Sequence, residues 1–242
     1  MEKKLNLLCL PFAGGSKYAY RELFTNIPSI FNVMVFEYPG RGTRINEDLC
    51  ADAATIVDDL YKQALTIIHK GEYAIYGHSL GGMLAHLLAL KLVENNQPLP
   101  VHIFITGTPG PSAPSRTTKK RHLLPKKEFI AEVKSLGGMP DEILASEDML
   151  DFLEPILRND FKLSETYNYS NKPALNIPLT VITGTDEDLE KKEILLWEKE
   201  SNSGVEFIEM EGNHFFILQH QAAILQTIQN TISKLIKSPY HG

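Results

Sequence analysis

The stretch "IYGHSLGGM", residues 75–83, joins an apolar run to a segment of helix formers. Its serine, Ser79, lies two residues after Gly77 and two residues before Gly81. The pattern G-x-S-x-G is typical of a nucleophile elbow, a strand-to-helix turn that exposes a serine hydroxyl. The alternative is a structural tight turn with no catalytic role, because glycine and serine are common in turns. The strand-like "YAIYG" before Ser79 and the helix-like "MLAHLLALKLV" after it favour the elbow.

Short apolar runs alternate with amphipathic segments along the chain. The predicted strands are 5–10, 32–38, 73–77, 101–107, 179–184 and 205–210, and the predicted helices are about 52–69, 80–95, 190–201 and 219–237. Nearly continuous apolar runs are typical of strands that are buried on both faces of a sheet. The alternation therefore predicts an α/β fold with a mostly parallel sheet flanked by helices.

The interval from about 108 to 176 contains no convincing strand. It begins with "TPGPSAPSRTTKK" and continues with predicted helices at 126–136, 141–146 and 148–168, interrupted by "SLGGMP" at 135–140. We interpret it as a helical insertion in a single domain that spans residues 1–242, and insertions at this edge of a sheet often act as lids. Its apolar residues either pack within the lid or contact an acyl group; examples are Leu136, Met139, Phe152 and Leu153.

The composition narrows the class of protein. The chain has 242 residues, of which 43% are hydrophobic, and its net charge of −6 disfavours binding to nucleic acid. The two cysteines, Cys9 and Cys50, do not suggest a disulfide scaffold, and Cys9 is expected in the core. The N-terminal apolar run is too short for a signal peptide, and no stretch is long enough to span a membrane. These features predict a soluble cytoplasmic protein.

A serine nucleophile needs a base and an acid, and on this fold they follow it in the order acid, then histidine. Of the eight histidines, His214 in "EMEGNHFFIL" is the candidate base, because it directly follows the last predicted strand. The candidate acids are Asp186, Glu187 and Asp188 in "GTDEDL", after the strand "LTVITG". Spacing alone does not rank these three.

An oxyanion hole needs two N–H donors. The elbow motif assigns one of them to the amide of Leu80. The second is expected from "PFAGGS", the loop after the first predicted strand. Pro11 has no N–H, so the amide of Ala13 is the candidate, and Gly14 and Gly15 permit close approach of the backbone. The alternative interpretation of this loop is a simple tight turn.

Five segments in one order resemble the type II thioesterases that accompany nonribosomal peptide and polyketide synthetases. They are "LPFAGGS", "FEYPGRG" (36–42), "GHSLGGM" (77–83), "LGGMP" (136–140) and "GNHFF" (212–216). The resemblance covers essentially the whole chain. It implies an α/β-hydrolase fold with a helical lid between a strand ending near Gly107 and one beginning near Leu179. It also implies hydrolysis of acyl or aminoacyl thioesters from the phosphopantetheine arms of carrier domains, without a dissociable cofactor or metal.

The resemblance carries roles over to individual residues. Ser79 and His214 correspond to the nucleophile and the base, and Ala13 and Leu80 correspond to the oxyanion donors. The family commonly places its aspartate three residues after the glycine that ends the strand, and this chain has Glu187 there. We predict Asp186 as the acid, because a shift of one residue retains an aspartate. Glu187 and Asp188 are the alternatives.

Other functions are compatible with parts of the pattern. A medium- or long-chain acyl-carrier thioesterase of fatty-acid synthesis, or an esterase of small carboxylic esters, would use the same triad. A non-catalytic binding protein is disfavoured because both Ser79 and His214 are present. A basic cluster is either a solvated loop or a docking patch for an acidic carrier domain. It consists of Lys119, Lys120, Arg121, Lys126 and Lys127.

Overall fold

The computed structural model describes residues 4–237, and His241, which was not among the candidate bases, lies outside them. The strands are β1 (Leu5–Leu10), β2 (Phe31–Val35), β3 (Tyr73–His78), β4 (Ile103–Thr106), β5 (Leu179–Gly184) and β6 (Val205–Met210). The helices are α1 (Ala53–Leu65), α2 (Leu80–Glu94), α3 (Ser115–Thr118), α4 (Lys126–Leu136), α5 (Asp141–Leu144), α6 (Glu147–Glu165), α7 (Lys191–Ile194), α8 (Phe216–Gln219) and α9 (Gln221–Lys237).

The six strands form one sheet in the order β2-β1-β3-β4-β5-β6, and every neighbouring pair is parallel. The predicted α/β fold with a parallel sheet is therefore confirmed. Strand β3, which leads into Ser79, lies inside the sheet between β1 and β4. In a parallel sheet all strands end at the same edge, so the loops that follow β1, β3, β5 and β6 lie together.

Both faces of the sheet are covered. Alternate residues of β1 point to opposite sides: Leu8 and Leu10 pack in the cluster that includes α1 and α2, whereas Leu7 and Cys9 pack in the cluster that includes α9. Cys9 is fully buried in the core, as predicted. This double burial is why the strands are almost continuously apolar. The edge of the sheet where the strands end is consequently the place left for a site.

Two predicted helices differ from the observed structure. The segment predicted as one helix at 190–201 is a single turn, α7, followed by a 3₁₀ helix at Leu195–Glu200. In this form Trp197 is fully buried, and its indole N–H donates to the carbonyl of Thr108 at 3.1 Å. The predicted helix at 219–237 is divided between α8 and α9. In both places the apolar spacing does not show where one helical segment ends and the next begins.

The interval between β4 and β5 is helical and contains α3 to α6. Helix α4 ends at Gly137, whose φ of 85° is the left-handed conformation that closes many helices. Helix α6 begins with Ser146 as its N-cap, whose hydroxyl accepts the N–H of Met149 at 3.3 Å. Side chains of α4 and α6 share a small apolar cluster around Phe129 and Leu157. Within residues 4–237, no helix is long and apolar enough to cross a bilayer.

Candidate active site

Ser79 occupies a strained corner between β3 and α2. Its φ of 56° and ψ of −117° lie outside the regions that non-glycine residues normally adopt. Such a conformation costs on the order of 1–3 kcal/mol and persists only where the surrounding structure fixes it. Here the N–H of Ser79 donates to the carbonyl of Thr106 at 2.8 Å, which ties the corner to the neighbouring strand β4. The residue therefore has the backbone of a nucleophile elbow.

The two flanking glycines are required by close backbone contacts. A Cβ on Gly77 would lie 2.2 Å from the carbonyl oxygen of Gly81, so a side chain there would prevent the turn. A Cβ on Gly81 would lie 2.0 Å from the carbonyl oxygen of Leu10, at the end of β1. Real atoms do not approach so closely, and glycine is the residue that removes the conflict. The spacing G-x-S-x-G thus follows from helix α2 folding tightly back over the strand ends.

Ser79 and His214 are in hydrogen-bond contact although 135 residues separate them. The His214 Nε2 atom lies 3.0 Å from the Ser79 Oγ atom, and its Nδ1 atom lies 2.6 Å from the Glu187 Oε1 atom. The second oxygen of Glu187 accepts the N–H of Gly184 at 2.8 Å, and the Glu187 side chain is only 2% exposed. Both carboxylate oxygens are thus engaged, which fixes the acid against the imidazole. This is the geometry of a serine–histidine–acid triad.

The acid that faces the imidazole is Glu187, so the preference for Asp186 is corrected. Asp186 is exposed; its N–H donates to the carbonyl of Gly212, and its carboxylate accepts the hydroxyl of Thr185 at 3.1 Å. Asp188 is also directed outward and forms an ion pair with Lys119, which lowers the pKa of that carboxyl through a hydrogen bond. The turn after β5 therefore directs its third residue toward the histidine. The family spacing, three residues after the strand-ending glycine, was the sequence signal for Glu187.

A second histidine, His78, lies beside the triad. Its ring is fully buried and stands 4.8 Å from the His214 ring, centroid to centroid. Its Nδ1 atom is 3.0 Å from the hydroxyl of Thr106, and burial holds the pKa of His78 well below its usual value. The ring is consequently neutral at physiological pH. It packs against His214 and is not in hydrogen-bond contact with Ser79 within the described residues.

The predicted oxyanion donors, Ala13 and Leu80, line the same cavity as Ser79 and His214. Leu80 is the first residue of α2, so its amide belongs to a helix N-terminus, where unpaired N–H groups favour negative charge. Neither amide donates to an acceptor among residues 4–237. Both N–H groups are therefore unpaired within the described residues, as an oxyanion hole requires.

The loop after β1 is more strongly anchored than a simple tight turn. The N–H of Gly15 donates to the carbonyl of Phe12 at 2.9 Å, and the hydroxyl of Tyr38 donates to the carbonyl of Pro11 at 2.7 Å. The N–H of Gly14 donates to the carboxylate of Asp160 at 2.7 Å. Asp160 was not predicted from the sequence, since nothing in the local pattern of α6 marks it.

Arg41 is the partner of Asp160. Its two terminal nitrogens lie 2.5 and 2.7 Å from the two carboxylate oxygens, and the side chains of Arg41 and Asp160 are 4% and 0% exposed. Arg41 belongs to "FEYPGRG", a segment that carries the resemblance but had no assigned role. The segment "FEYPGRG" was therefore a sequence signal for Arg41, whereas no such signal marked Asp160.

A cavity of about 580 Å³ opens beside the triad. Its lining is mainly apolar. The part that comes from the interval between β4 and β5 includes Val133, Leu136, Met139, Leu153, Leu157 and Phe161. Phe152 is instead 56% exposed and is not part of the lining. Helices of the interval between β4 and β5 thus form the roof of the cavity. Such a space suits an apolar acyl group whose carbonyl would lie at Ser79.

The basic cluster is largely paired within the protein. Lys119 pairs with Asp188, Arg121 with Glu132 and Glu165, and Lys126 with Asp151, while Lys120 donates to the carbonyl of Glu165 at 3.2 Å. Lys127 is exposed and forms no ion pair with residues 4–237. Internal pairing reduces the net positive field that a partner would encounter.

Comparisons with known proteins agree with this geometry. A family model described as "Thioesterase domain" matches residues 5–232. The gramicidin S biosynthesis protein GrsT of Aneurinibacillus migulanus is 29% identical over 224 residues, covering 92% of this chain and 87% of GrsT. The medium-chain S-acyl fatty acid synthase thioesterase of Homo sapiens is 28% identical over 244 residues, covering 98% of this chain and 89% of the human protein.

Among solved structures, ClbQ from the colibactin NRPS/PKS pathway superimposes with a TM-score of 0.90. It is 31% identical, and the match covers 96% of this chain and 98% of ClbQ. The predicted α/β-hydrolase fold and the resemblance to type II thioesterases of nonribosomal peptide and polyketide systems are thereby confirmed. The chain belongs to the thioesterase family and is a serine hydrolase that cleaves thioesters.

Proposed function

We propose that this thioesterase removes acyl or aminoacyl groups from the phosphopantetheine arms of carrier domains in a nonribosomal peptide or polyketide pathway. The observation that carries the proposal is the contact of Ser79, His214 and Glu187 at 3.0 and 2.6 Å beneath a mainly apolar cavity. Similarity to ClbQ and GrsT across nearly the whole chain supports this class of pathway.

In the proposed reaction, Ser79 Oγ attacks the thioester carbonyl while its proton passes to His214 Nε2. The negative oxygen that forms is bound by the amides of Ala13 and Leu80. Glu187 accepts the Nδ1 proton of His214 in a hydrogen bond, and this contact stabilises the imidazolium. Collapse of the intermediate breaks the C–S bond, and His214 returns the proton to the departing sulfur.

The second half of the reaction uses the same groups. Water attacks the acyl-serine, His214 accepts its proton, and the carboxylic acid leaves with Ser79 restored. A thiol with a pKa of about 8.5 leaves more readily than an alcohol or an amine, which favours thioesters as substrates. These steps use no metal and no dissociable cofactor. The partner that we propose is an acyl or peptidyl carrier domain, encountered in the cytoplasm.

A second candidate is release of medium-chain fatty acids from a fatty-acid synthase carrier. Two observations favour it: the mainly apolar lining of the cavity and the 28% identity to the human medium-chain thioesterase. The two candidates share the triad and the thioester chemistry. They differ in the acyl group and in the carrier that is recognised.

The test is hydrolysis from a panel of loaded carrier domains, followed by intact-mass measurement. The panel contains short acyl, aminoacyl and medium-chain acyl groups on a synthetase carrier and on a fatty-acid carrier, and Ser79→Ala is the inactive control. We expect short acyl and aminoacyl groups to be released from the synthetase carrier at least tenfold faster than medium-chain groups from the fatty-acid carrier. The opposite preference would establish the second candidate.

A further inference from the structure

The backbone orientation of the oxyanion loop, residues 11–15, is fixed from two sides of Ala13. On one side, the Phe12 carbonyl accepts the N–H of Gly15. Because carbonyl and N–H point in opposite directions across a trans peptide, this bond turns the Ala13 N–H away from Gly15 and leaves it unpaired within the described chain. On the other side, the N–H of Gly14 is bound by Asp160 at 2.7 Å.

The carboxylate that holds Gly14 comes from helix α6, which also contributes to the roof of the cavity. Asp160 is itself oriented by the two nitrogens of Arg41, and one of these nitrogens also lies 3.4 Å from the carbonyl of Gly15. The same helix presses against the loop with Leu157, since a Cβ on Gly14 would lie 2.5 Å from its Cδ2 atom. The loop is therefore clamped between α6 and Arg41.

We propose that Asp160 is a positioning residue for the oxyanion hole. Held by Arg41, its carboxylate fixes the peptide between Ala13 and Gly14 and thereby keeps the Ala13 N–H directed at the carbonyl oxygen of the substrate. A fully buried aspartate and arginine that served stability alone would not need to bond the oxyanion loop. This proposal rests on the serine mechanism, but it concerns residues outside the triad.

The test compares two ligands of the same alkyl chain, a trifluoromethyl ketone and a methyl ketone. Ser79 adds to the trifluoromethyl ketone, and the resulting hemiketal oxyanion occupies the oxyanion hole, whereas the methyl ketone reports ground-state binding. One oxygen of Asp160 accepts both the Gly14 N–H and one Arg41 nitrogen, and the other oxygen accepts the second Arg41 nitrogen. In Asp160→Asn the NH₂ group replaces one of these oxygens and faces a donor, which loosens the hold of Arg41 on the residue that binds Gly14. We expect kcat to fall about 10- to 1,000-fold, up to the loss seen when an oxyanion donor is removed.

Affinity for the trifluoromethyl ketone should fall by a similar factor, with methyl ketone affinity and KM within about twofold of wild type. Arg41→Lys, which keeps the charge but loses the second contact to Asp160, should give a smaller loss in the same direction. If Asp160→Asn does not fold, the Arg41→Lys variant tests the proposal in its place. The matched control is Glu200→Gln, because Glu200 is also a buried acidic residue and bonds Tyr169 outside the cavity lining.

A variant that loses thermal stability but keeps the wild-type ratio of the two ketone affinities would show a purely structural role. Equal losses of both affinities would also overturn the proposal, since they would indicate damage to the cavity. Failure of the serine mechanism is a separate outcome. It would appear as trifluoromethyl ketone binding that survives in Ser79→Ala, whatever the behaviour of the Asp160 variant.

Discussion

Replacing Glu187 with glutamine tests the triad with little change in shape. The two oxygens of Glu187 each accept one N–H, from His214 at 2.6 Å and from Gly184 at 2.8 Å. A glutamine amide has one oxygen and one NH₂ group, so one of these two donors must face another donor. If the oxygen stays with Gly184, the NH₂ group faces Nδ1 of His214.

That arrangement stabilises the wrong tautomer. An imidazole that accepts at Nδ1 carries its proton on Nε2, and it then cannot accept the proton of Ser79 3.0 Å away. The corresponding acid-to-amide change in a serine protease lowers kcat about 10⁴-fold. Tenfold corresponds to about 1.36 kcal/mol, so the expected loss of transition-state stabilisation is about 5 kcal/mol.

The assay is hydrolysis of an acyl thioester on a short pantetheine mimic, with Asp186→Asn and Asp188→Asn as matched amide controls. Both control residues are exposed, and the contact of Asp188 with Lys119 is a surface ion pair of little energetic value. Each control should retain activity within about threefold of wild type. The reasoning would be refuted by a Glu187→Gln enzyme within tenfold of wild type, or by Asp186→Asn as the damaging change.

Three further predictions concern the nucleophile, the helical interval and pH. Ser79→Ala should abolish turnover without loss of folding, and a serine-directed phosphonate should add one adduct to wild type, by intact mass, and none to the variant. In hydrogen exchange, amides of 108–176 should open faster than those of the strands; equal protection would contradict a mobile lid. Burial lowers the pKa of His102 to about 4, below the unfolded value of about 6.5, so the unfolded state binds the extra proton. The stability that the neutral form of His102 contributes is complete above pH 6.5 and is lost as the pH falls toward 4. His102→Gln replaces the titrating ring with a neutral group that can also bond the Thr180 hydroxyl, so it should flatten the decline in melting temperature over that range.

A prediction about the basic cluster follows from its internal pairs. Because Lys120 and Lys127 have no carboxylate partner within residues 4–237, reversing both charges should lower the rate on carrier-bound substrates more at low salt than at high salt. Hydrolysis of the short pantetheine mimic should be unchanged. If carrier and mimic lose activity equally, the cluster does not dock the carrier; if neither changes, the cluster is a solvated loop.

The inner strands β1, β3, β4 and β5 could be predicted from the sequence because each is almost entirely buried. The predicted bounds 5–10, 179–184 and 205–210 agree with β1, β5 and β6 residue for residue. The elbow was predictable for a related reason: Gly77 and Gly81 are imposed by backbone contacts within one strand–turn–helix unit. Features that depend on local backbone geometry can therefore be predicted from a short stretch of the sequence.

The acid was mispredicted because an aspartate was preferred to the residue that the family spacing indicates, Glu187, and because the direction of Asp186 depends on a contact from elsewhere in the chain. Three consecutive acidic residues follow the glycine of β5, and the outward direction of Asp186 is set in part by its N–H bonding the carbonyl of Gly212, after β6. Asp160 was missed for the same reason, since 119 residues separate it from Arg41. Neither contact produces a periodicity or a spacing that a single sequence displays.

Strand β4 supplies no triad residue, but it still affects how the triad residues meet. Strand β4 lies between β3, which leads to Ser79, and β5, which leads to Glu187, so the triad must reach across its end. There the chain has Gly107 with a φ of 61°, where a Cβ would lie 2.4 Å from the His78 ring and 3.3 Å from Glu187 Oε1. A side chain at this position would overlap the His78 ring, which packs against His214, and would crowd the carboxylate of Glu187. The glycine after β4 is thus as much a condition of the triad geometry as the glycines that flank the serine.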